Sequence, residues 1–186
     1  MKHFVLFVSL YFSVSFLIIA QTPDNIPQLQ TFYVAETGQD AGHTGTYSDP
    51  FATINYALSQ VDYHYSGLVI KVIKGANGYN QYVNINKSGN ANFPIIIQAE
   101  NSNNNPVFYG RSSAFSGKNA VFEWSTGINY VTIDGINVFG ATANSGQGEN
   151  GLYGIWIRGD YNTIRNCNLD TIGRSGIEIQ GSNNLI

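Results

Sequence analysis

The sequence predicts an all-β solenoid, in which short strands coil around one long hydrophobic core. Residues 154–159 (GIWIRG) recur as residues 176–181 (GIEIQG), and residues 162–164 (NTI) recur as residues 184–186 (NLI), both 22 residues later. A fixed period in this range is typical of solenoids, whose units bury their apolar side only by stacking on neighbours. The repeated runs are short, alternate in polarity and are bounded by Gly and Asn, which favours β-strands over helical hairpins.

The composition also favours a rigid, turn-rich β protein. Asn contributes 22 residues and Gly 20, and both types tolerate the left-handed backbone conformations of tight turns. Aromatic residues make up 13% of the chain, which argues against disorder. Charged residues are only 11% and the net charge is −3, so the sequence lacks the basic stripe that a nucleic-acid partner would need. Cys167 is the single cysteine, which excludes an internal disulfide.

Residues 1–20 predict a secretory signal peptide, because a basic start is followed by a mostly apolar run over residues 4–19. The length of this run is also near the minimum for an uncleaved membrane anchor, which is the alternative. With cleavage, we expect the mature protein to be secreted, at the cell surface or in a periplasm, and to have no contact with a membrane. Residues 21–30 predict a linker ahead of a single domain at 31–186.

The domain begins with a predicted strand, a loop and a helix. Residues 31–35 predict the strand, and residues 36–47 form a Gly-rich loop. A helix is predicted to begin at Pro50, because Asp49 can cap its free N–H groups and proline suits the first helical position. We expect this helix to cover the N-terminal end of the solenoid, where the core and the strand edges are otherwise open.

Further strands are predicted at residues 68–73, 82–86, 94–98 and 106–109, which are short apolar runs between turn residues. The chain travels in one direction along a solenoid, so we expect these strands to pair in parallel between coils. Each coil then adds about 4.8 Å, the spacing of paired strands.

One of the later coils is longer than the repeat. Residues 130–138 match residues 161–169 at a shift of 31, nine more than the 22-residue period. The polar stretch 141–151 accommodates the extra residues, so we expect a loop that projects from the stack. Such loops often shape a binding cleft, but a tolerated insertion explains this one equally well.

Two asparagines share one coil position. Asn162 and Asn184 align at the 22-residue shift, and Val131 takes the same position one coil earlier. We interpret the asparagines as the start of a stacked amide ladder, which satisfies backbone and side-chain hydrogen bonds together.

Several motifs resemble secreted right-handed parallel β-helix proteins of the pectate-lyase-like superfamily. The likeness lies in residues 32–35 (FYVA), 48–54 (SDPFATI), 57–58 (AL), 82–85 (YVNI), 87–89 (KSG), 94–97 (PIII), 105–107 (NPV), 129–135 (NYVTIDG) and 162–166 (NTIRN). It covers residues 31–186, and its beginning is similar to polysaccharide lyases of the chondroitinase and alginate-lyase kind and to the larger pectate lyases. The resemblance implies a right-handed single-stranded parallel β-helix with an N-terminal capping α-helix, and we expect a monomer.

In the lyase members, the resemblance implies, an acidic polysaccharide binds along an exposed face and is cleaved by β-elimination. A Lys or Arg removes the proton beside a uronic carboxylate, and calcium or another cation neutralises that carboxylate. No catalytic or calcium-ligand motif matches this sequence, so the catalytic residues stay unknown and no metal ligand is assigned. The repeat stops in mid-coil at Ile186, so we expect a C-terminal truncation that removes the catalytic coils and leaves the 186 residues inactive alone.

Strand alternation predicts one group of candidate binding residues on the outer surface. With the isoleucines of both repeats inward, Trp156, Arg158 and Glu178 point outward, and Glu123 joins them if its aromatic neighbours point inward. An exposed indole stacks on a pyranose while charged groups bind hydroxyls or an acidic group, so these four residues are carbohydrate-binding candidates. The alternatives are an ordinary surface ladder, a Trp156 covered by the 141–151 loop, or a one-residue slip that turns the set inward.

Other polar residues favour structural roles. Glu36, Asp40 and Asp49 surround a Gly-rich segment with room for an ion, although capping and turn roles are the stronger interpretation. His43 and His64 have no partner at the spacing of metal ligands.

Two functions therefore remain open. The first is a secreted polysaccharide-degrading enzyme, most simply a lyase, of which this chain is the N-terminal portion. The second is a non-catalytic β-helix for carbohydrate binding or cell-surface adhesion, because a fold does not by itself imply an activity. A basic residue beside a cluster of acids in the following coils would favour the lyase, and continued polar ladders would favour the adhesin.

Overall fold

The computed structural model describes residues 29–61, 67–111, 113–142 and 151–186. The predicted signal peptide, most of the predicted linker and most of the 141–151 loop lie outside these ranges. In the described part of the chain, no helix is long and apolar enough to cross a membrane.

Short parallel strands are the main regular element. They are β1 (Gln30–Val34), β2 (Leu68–Val72), β3 (Val83–Ile85), β4 (Ile95–Ala99), β5 (Val107–Tyr109), β6 (Ala120–Trp124), β7 (Val131–Asp134), β8 (Asn137–Phe139), β9 (Tyr153–Ile157), β10 (Thr163–Arg165), β11 (Leu169–Asp170) and β12 (Ile177–Ile179). Helix α1 spans Ile54–Ser59, and a single 3-10 turn among the described residues spans Ser113–Phe115.

The strands stack into three parallel sheets that the chain visits in turn. The first sheet has the order β1-β2-β4-β7-β10, the second β5-β8-β11 and the third β3-β6-β9-β12. A full coil runs from the first sheet through the second to the third, and the next coil begins about 4.8 Å further along. The predicted parallel solenoid is confirmed.

Strand register confirms both sequence alignments. Ile155 pairs with Ile177 at the 22-residue shift, and Thr132 pairs with Thr163 at the shift of 31. The longer coil therefore stays in register with its neighbours, and its extra residues lie between β8 and β9.

The core is built from inward columns of stacked aliphatic side chains. In the first sheet, one such column is in register from β2 to β10 and is buried throughout: Ile70, Ile97, Ile133 and Ile164. Side chains alternate along a strand, so the register that buries this column also aligns outward columns on the surface.

The corner between the third and first sheets has the same conformation in successive coils. Tyr130, Tyr161 and Asn183 occupy it with φ angles of 56°, 57° and 57°. This left-handed conformation costs about 1–2 kcal/mol for an ordinary residue, and the two tyrosine rings stack there with centroids 5.0 Å apart. Gly159, shortly before the corner, has no room for a side chain, since a Cβ there would lie 2.0 Å from the carbonyl oxygen of Ile128.

The two asparagines of the predicted ladder occupy equivalent coil positions, and their carboxamides bond to backbone groups and to the Trp124 indole. The buried Asn162 Oδ1 accepts hydrogen bonds from the Val131 N–H at 3.0 Å and the Trp124 indole at 3.2 Å. Its Nδ2 donates to the Ile128 carbonyl at 3.1 Å. Asn184 repeats the first of these contacts one coil later, accepting the Asn162 N–H at 2.8 Å. Each asparagine thereby ties its own coil to the previous one.

Helix α1 covers the N-terminal end of the stack, as predicted. Ile54, Ala57 and Leu58 are buried, and the helix packs on β1 and β3, the terminal strands of the first and third sheets. The predicted helix start at Pro50 is wrong, since the helix begins at Ile54 with Thr53 as its N-cap.

Two aspartates explain the later start of the helix. The Asp40 carboxylate accepts hydrogen bonds from the backbone N–H groups of Ala52 at 2.9 Å and Thr53 at 3.0 Å. Asp49, the predicted cap, instead accepts hydrogen bonds from the backbone N–H and the hydroxyl of Thr44. Both carboxylates therefore accept hydrogen bonds from residues that precede the helix, and neither caps a helix that begins at Pro50.

Asn55 closes the open edge of the third sheet. Its Oδ1 accepts a hydrogen bond from the Asn84 N–H at 2.9 Å, and its Nδ2 donates to the Tyr82 carbonyl at 2.7 Å. The carboxamide replaces the hydrogen bonds that another strand would make with β3, so the edge is blocked against strand addition.

We expect Asn55→Ala to lower the free energy of unfolding by about 1–2 kcal/mol, because two edge hydrogen bonds are lost. Urea unfolding followed by circular dichroism measures the loss. Asn104→Ala is the control, since this asparagine lies exposed in a turn, and its substitution should change stability by less than about 0.5 kcal/mol. An Asn55→Ala midpoint equal to that of the control would contradict the edge-capping role.

We expect Asn162→Ala to destabilise the fold by about 3 kcal/mol or more, because two buried donors and one carbonyl lose their partner. The specific signature is amide hydrogen exchange at Val131, which should become faster relative to the neighbouring Ile133. Unchanged protection at Val131 would show that the ladder does not hold the corner.

Candidate functional site

The predicted outward column lies on the third sheet. Asn84, Glu123, Trp156 and Glu178 are successive partners in register across β3, β6, β9 and β12. Arg158 follows β9 directly, and its guanidinium reaches back over the Trp156 ring. This register excludes the alternative in which a one-residue shift of the strands turns these side chains inward. The role of the column in binding carbohydrate stays a prediction.

Glu123 is buried on this outer face, with only 6% of the residue exposed. One carboxylate oxygen accepts hydrogen bonds from the Asn119 side chain at 3.2 Å and from Arg158 at 3.1 Å. The other accepts hydrogen bonds from the Tyr82 hydroxyl at 3.2 Å and the Asn119 backbone N–H at 3.4 Å. Since both oxygens accept two hydrogen bonds, Glu123 positions its neighbours, and the exposed carboxylate that the sequence predicts at this position is buried.

Arg158 is held at three points. Its Nε donates to the Trp124 carbonyl at 2.8 Å, and its terminal nitrogen pairs with Glu123 at 3.1 Å. The guanidinium carbon lies 4.4 Å from the Trp156 ring centroid, a cation–π contact worth about 0.5–2 kcal/mol. The charge of Arg158 is therefore offset by Glu123, and its orientation is set by the strand.

Trp156 is half-buried and packed among other side chains. Arg158 covers one face of the indole, and the Tyr153 ring lies 5.5 Å away at an angle of 45°. The indole N–H is buried without a hydrogen-bond partner among the described residues, an uncommon state for a buried donor. Trp156 is thus a fixed part of this surface, and not the open stacking platform that the sequence predicts.

Four further residues belong to the same surface, and sequence reasoning missed them as site residues. The Lys118 ammonium lies 4.5 Å from the Tyr82 ring centroid, and the Arg174 guanidinium lies 4.3 Å from the Tyr153 ring centroid. Tyr82 shares the outward parity of Asn84, which was a usable signal. Lys118 and Arg174 lie outside the strands, where no periodicity reports their direction.

In the resulting cluster, each aromatic ring contacts a basic side chain. We call it the basic–aromatic face, and it consists of Tyr82, Lys118, Glu123, Tyr153, Trp156, Arg158 and Arg174.

The surroundings of Tyr82 on this face raise the pKa of its hydroxyl. Burial, followed by the charge of Glu123 and the hydrogen bond to it, raises the pKa of Tyr82 to about 12, although the charge of Arg158 opposes the shift. Tyr82 therefore stays protonated at neutral pH and donates its hydrogen bond to Glu123.

The acidic residues around the Gly-rich loop have structural partners. Glu36 accepts hydrogen bonds from the side chain and the backbone N–H of Asn77, and these bonds lower the pKa of its carboxyl. The hydrogen bond with His43 and those from Thr44 lower the pKa of Asp49. These contacts support turn and capping roles over ion binding.

A calcium ion is implied by the family resemblance, and the described residues do not fit it. Within the described ranges, no three side chains of His, Cys, Asp or Glu come together as potential metal ligands. His64 lies outside those ranges.

Three parallel sheets stacked in coils around an apolar core, with a polar–aromatic cluster on one outer face, define a parallel β-helix protein. The family model described as "Pel9A-like, right handed beta helix region" matches residues 32–186. The chain therefore belongs to this family, and its coil is right-handed.

Among solved structures, the chain is similar to a protein named "Rhamnogalacturonan lyase", with 22% identity and a TM-score of 0.56. The match covers 75% of this chain and 36% of that protein, so the chain spans much less than its full length. At this identity the likeness shows the fold alone. No curated protein matches the chain.

We expect Tyr82→Phe to flatten the fall in stability at high pH. Between pH 10, the ordinary Tyr value, and pH 12, the unfolded chain loses the Tyr82 proton while the folded chain keeps it. Stability from this group is present below pH 10 and is lost as pH rises through the window. Urea unfolding at pH 9.5, 10.5 and 11.5 measures the slope.

The control for this experiment is Tyr47→Phe, whose residue is 61% exposed. The wild-type and Tyr47→Phe slopes should agree, and the Tyr82→Phe slope should be smaller. If the free energy of unfolding falls with pH equally in all three proteins, Tyr82 does not belong to the buried network of Glu123.

Proposed function

We propose that the chain is part of a secreted protein that acts on an acidic polysaccharide, and that the basic–aromatic face binds its uronic-acid units. The observation that carries the proposal is the pairing of a basic group with an aromatic ring at three places on one face. Membership of a Pel9A-like β-helix family supports a polysaccharide ligand, as does similarity to a protein named as a rhamnogalacturonan lyase.

Two cations on the face are available to carboxylates of a ligand. Lys118 and Arg174 each contact an aromatic ring, and neither has a carboxylate partner among the described residues. Arg158, by contrast, is already paired with Glu123. Hydrogen bonds between such cations and a carboxylate are about twice as strong as neutral ones. The two free cations therefore favour an acidic ligand over a neutral one.

The placement of these cations suits a polymer better than a single sugar. Lys118 precedes β6 and Arg174 precedes β12, two strands further along the third sheet. Two strand spacings amount to about 10 Å. A polysaccharide lying along the stack would meet Lys118 and Arg174 with different sugar units, while the Tyr153 and Trp156 rings lie along the path.

For the reaction, we propose β-elimination at a uronic-acid unit. A base takes the proton from the carbon beside the carboxylate, and a carbon–carbon double bond forms to the neighbouring carbon. The bond from that carbon to the glycosidic oxygen breaks, and the oxygen leaves with the electron pair and takes up a proton. Negative charge spreads onto the carboxylate during this step, so a fixed cation there stabilises the transition state more than the ground state. Lys118 and Arg174 are suited to that role, and no residue of the chain is assigned as the base.

A non-catalytic carbohydrate-binding or adhesion protein is the second candidate. The observation that favours it is the engagement of Arg158, whose hydrogen bonds to Glu123 and the Trp124 carbonyl hold it away from the role of a base. Binding and product formation therefore need separate measurements.

We expect the chain to be retarded on native gels that contain polygalacturonate, and much less on gels that contain its carboxyl-reduced, neutral form. Arg174→Ala should weaken the binding about tenfold, since a charge-assisted hydrogen bond contributes about 1.5–3 kcal/mol. Trp156→Ala should weaken it too, because the ring supports Arg158 and Tyr153. Ultraviolet absorbance of unsaturated products, measured on the same samples, tests elimination.

Arg165→Ala is the matched control, because this exposed arginine lies on the first sheet and pairs with Asp134 at 2.9 Å. Equal retardation of Arg174→Ala, Arg165→Ala and wild type would refute binding at the basic–aromatic face. Unsaturated products would establish elimination and refute the non-catalytic candidate, whereas retardation without products is the result expected of the 186 residues alone.

A further inference from the structure

A second polar–aromatic surface lies on the outer face of the second sheet. Two rows of side chains are in register there, Tyr109 with Phe139 and Asp170, and Val107 with Asn137. Together with Asn168 they line a cavity of 240 Å³. We call this surface the second-sheet platform, which consists of Tyr109, Arg111, Asn137, Phe139, Asn168 and Asp170. We propose that it binds a neutral sugar unit, separately from the basic–aromatic face.

The Tyr109 ring and the Arg111 side chain of the platform pack directly against backbone glycines. The Tyr109 ring lies against Gly78, where an added Cβ would come within 2.6 Å of the ring. The Arg111 guanidinium lies 4.6 Å from the Phe139 ring centroid and against Gly140, where a Cβ would meet its Nε at 2.0 Å. These contacts set the ring and guanidinium positions before a ligand arrives, which reduces the entropy lost on binding.

The polar part of the platform has hydrogen-bonding groups that the protein does not use. Asn137 Oδ1 accepts hydrogen bonds from the Asn168 N–H at 3.1 Å and the Asn105 side chain at 3.5 Å, whereas the Asn137 Nδ2 has no partner among the described residues. The exposed Asn168 side chain makes no hydrogen bond in the described part of the chain. Within the same ranges, Asp170 accepts a hydrogen bond only from the adjacent Thr171 hydroxyl, at 3.1 Å. Amide donors, amide acceptors and a carboxylate beside aromatic rings are the groups that recognise sugar hydroxyls and apolar sugar faces.

The charge of the platform selects a neutral ligand. Asp170 has no basic partner among the described residues, and Arg111 is the platform's one cation. An unpaired carboxylate repels a uronate and accepts hydrogen bonds from neutral hydroxyls. The basic–aromatic face is positive instead, since its three cations Lys118, Arg158 and Arg174 outnumber Glu123 and the adjoining outward carboxylate of Glu178. The two faces are therefore suited to different units of a mixed polysaccharide.

We expect β-1,4-linked tetrasaccharides of galactose or glucose to shift the side-chain amide signals of Asn137 and Asn168 in nitrogen-15 NMR spectra of the chain. Asn168→Ala and Asp170→Ala should each weaken this binding about tenfold. Both side chains are exposed, so these variants should fold. Tetragalacturonate should bind the platform more weakly than the neutral probes.

Arg165→Ala, on the first sheet, is the control and should bind the neutral probes like wild type. The proposal is overturned if neither neutral probe binds at millimolar concentration, or if Asn168→Ala and Asp170→Ala bind as wild type does. It is also overturned if Arg174→Ala abolishes neutral binding, because the sugar would then lie on the basic–aromatic face. If polygalacturonate does not bind but the neutral probes do, the proposed function is refuted and the sugar-binding role of the platform still holds.

Discussion

Every coil of this solenoid has to return its chain to the same corner, one strand spacing beyond the previous coil. Successive backbones approach so closely before that corner that a Cβ on Gly159 or Gly181 would lie 2.0 Å from a carbonyl oxygen of the preceding coil. Asn162 then uses its whole carboxamide to tie its coil to the one before. Since β9 leads into the corner and β10 leaves it, the registers of the third and first sheets depend on the same contacts.

The surface chemistry follows from that register. Alternation along β9 buries Ile155 and Ile157 and turns Trp156 outward, in line with Glu123 and Glu178. A polar group on one strand thereby acquires neighbours from coils that are distant in sequence. The same rule produces a second outward set on the second sheet, with a different charge balance. A β-helix can therefore present separate binding surfaces without changing its core.

The properties of the candidate site depend on segments that carry no periodic signal. Asn119 and Arg158 occupy the Glu123 carboxylate, and Tyr82 reaches it from 41 residues earlier in the chain. Alternation predicts the direction of Glu123, but not the partners that bury it. Arg174 likewise comes from a turn, where its backbone N–H donates to the Leu152 carbonyl at 3.2 Å and its guanidinium lies over the Tyr153 ring. Side-chain direction in such segments depends on contacts and not on sequence spacing.

The sequence by itself determined the coil. Its 22-residue period, its runs bounded by Gly and Asn and its inward isoleucines predicted a parallel solenoid and the outward column, because each is a local pattern repeated in successive coils. The helical lid was predicted separately, from the residues around Pro50. Only the tertiary structure decided that the helix begins at Ile54, that Glu123 is buried in an ion pair and that Arg158 covers Trp156. The physical reason is that each of these depends on hydrogen bonds and charges brought together from different coils, whose free energies a local pattern does not contain.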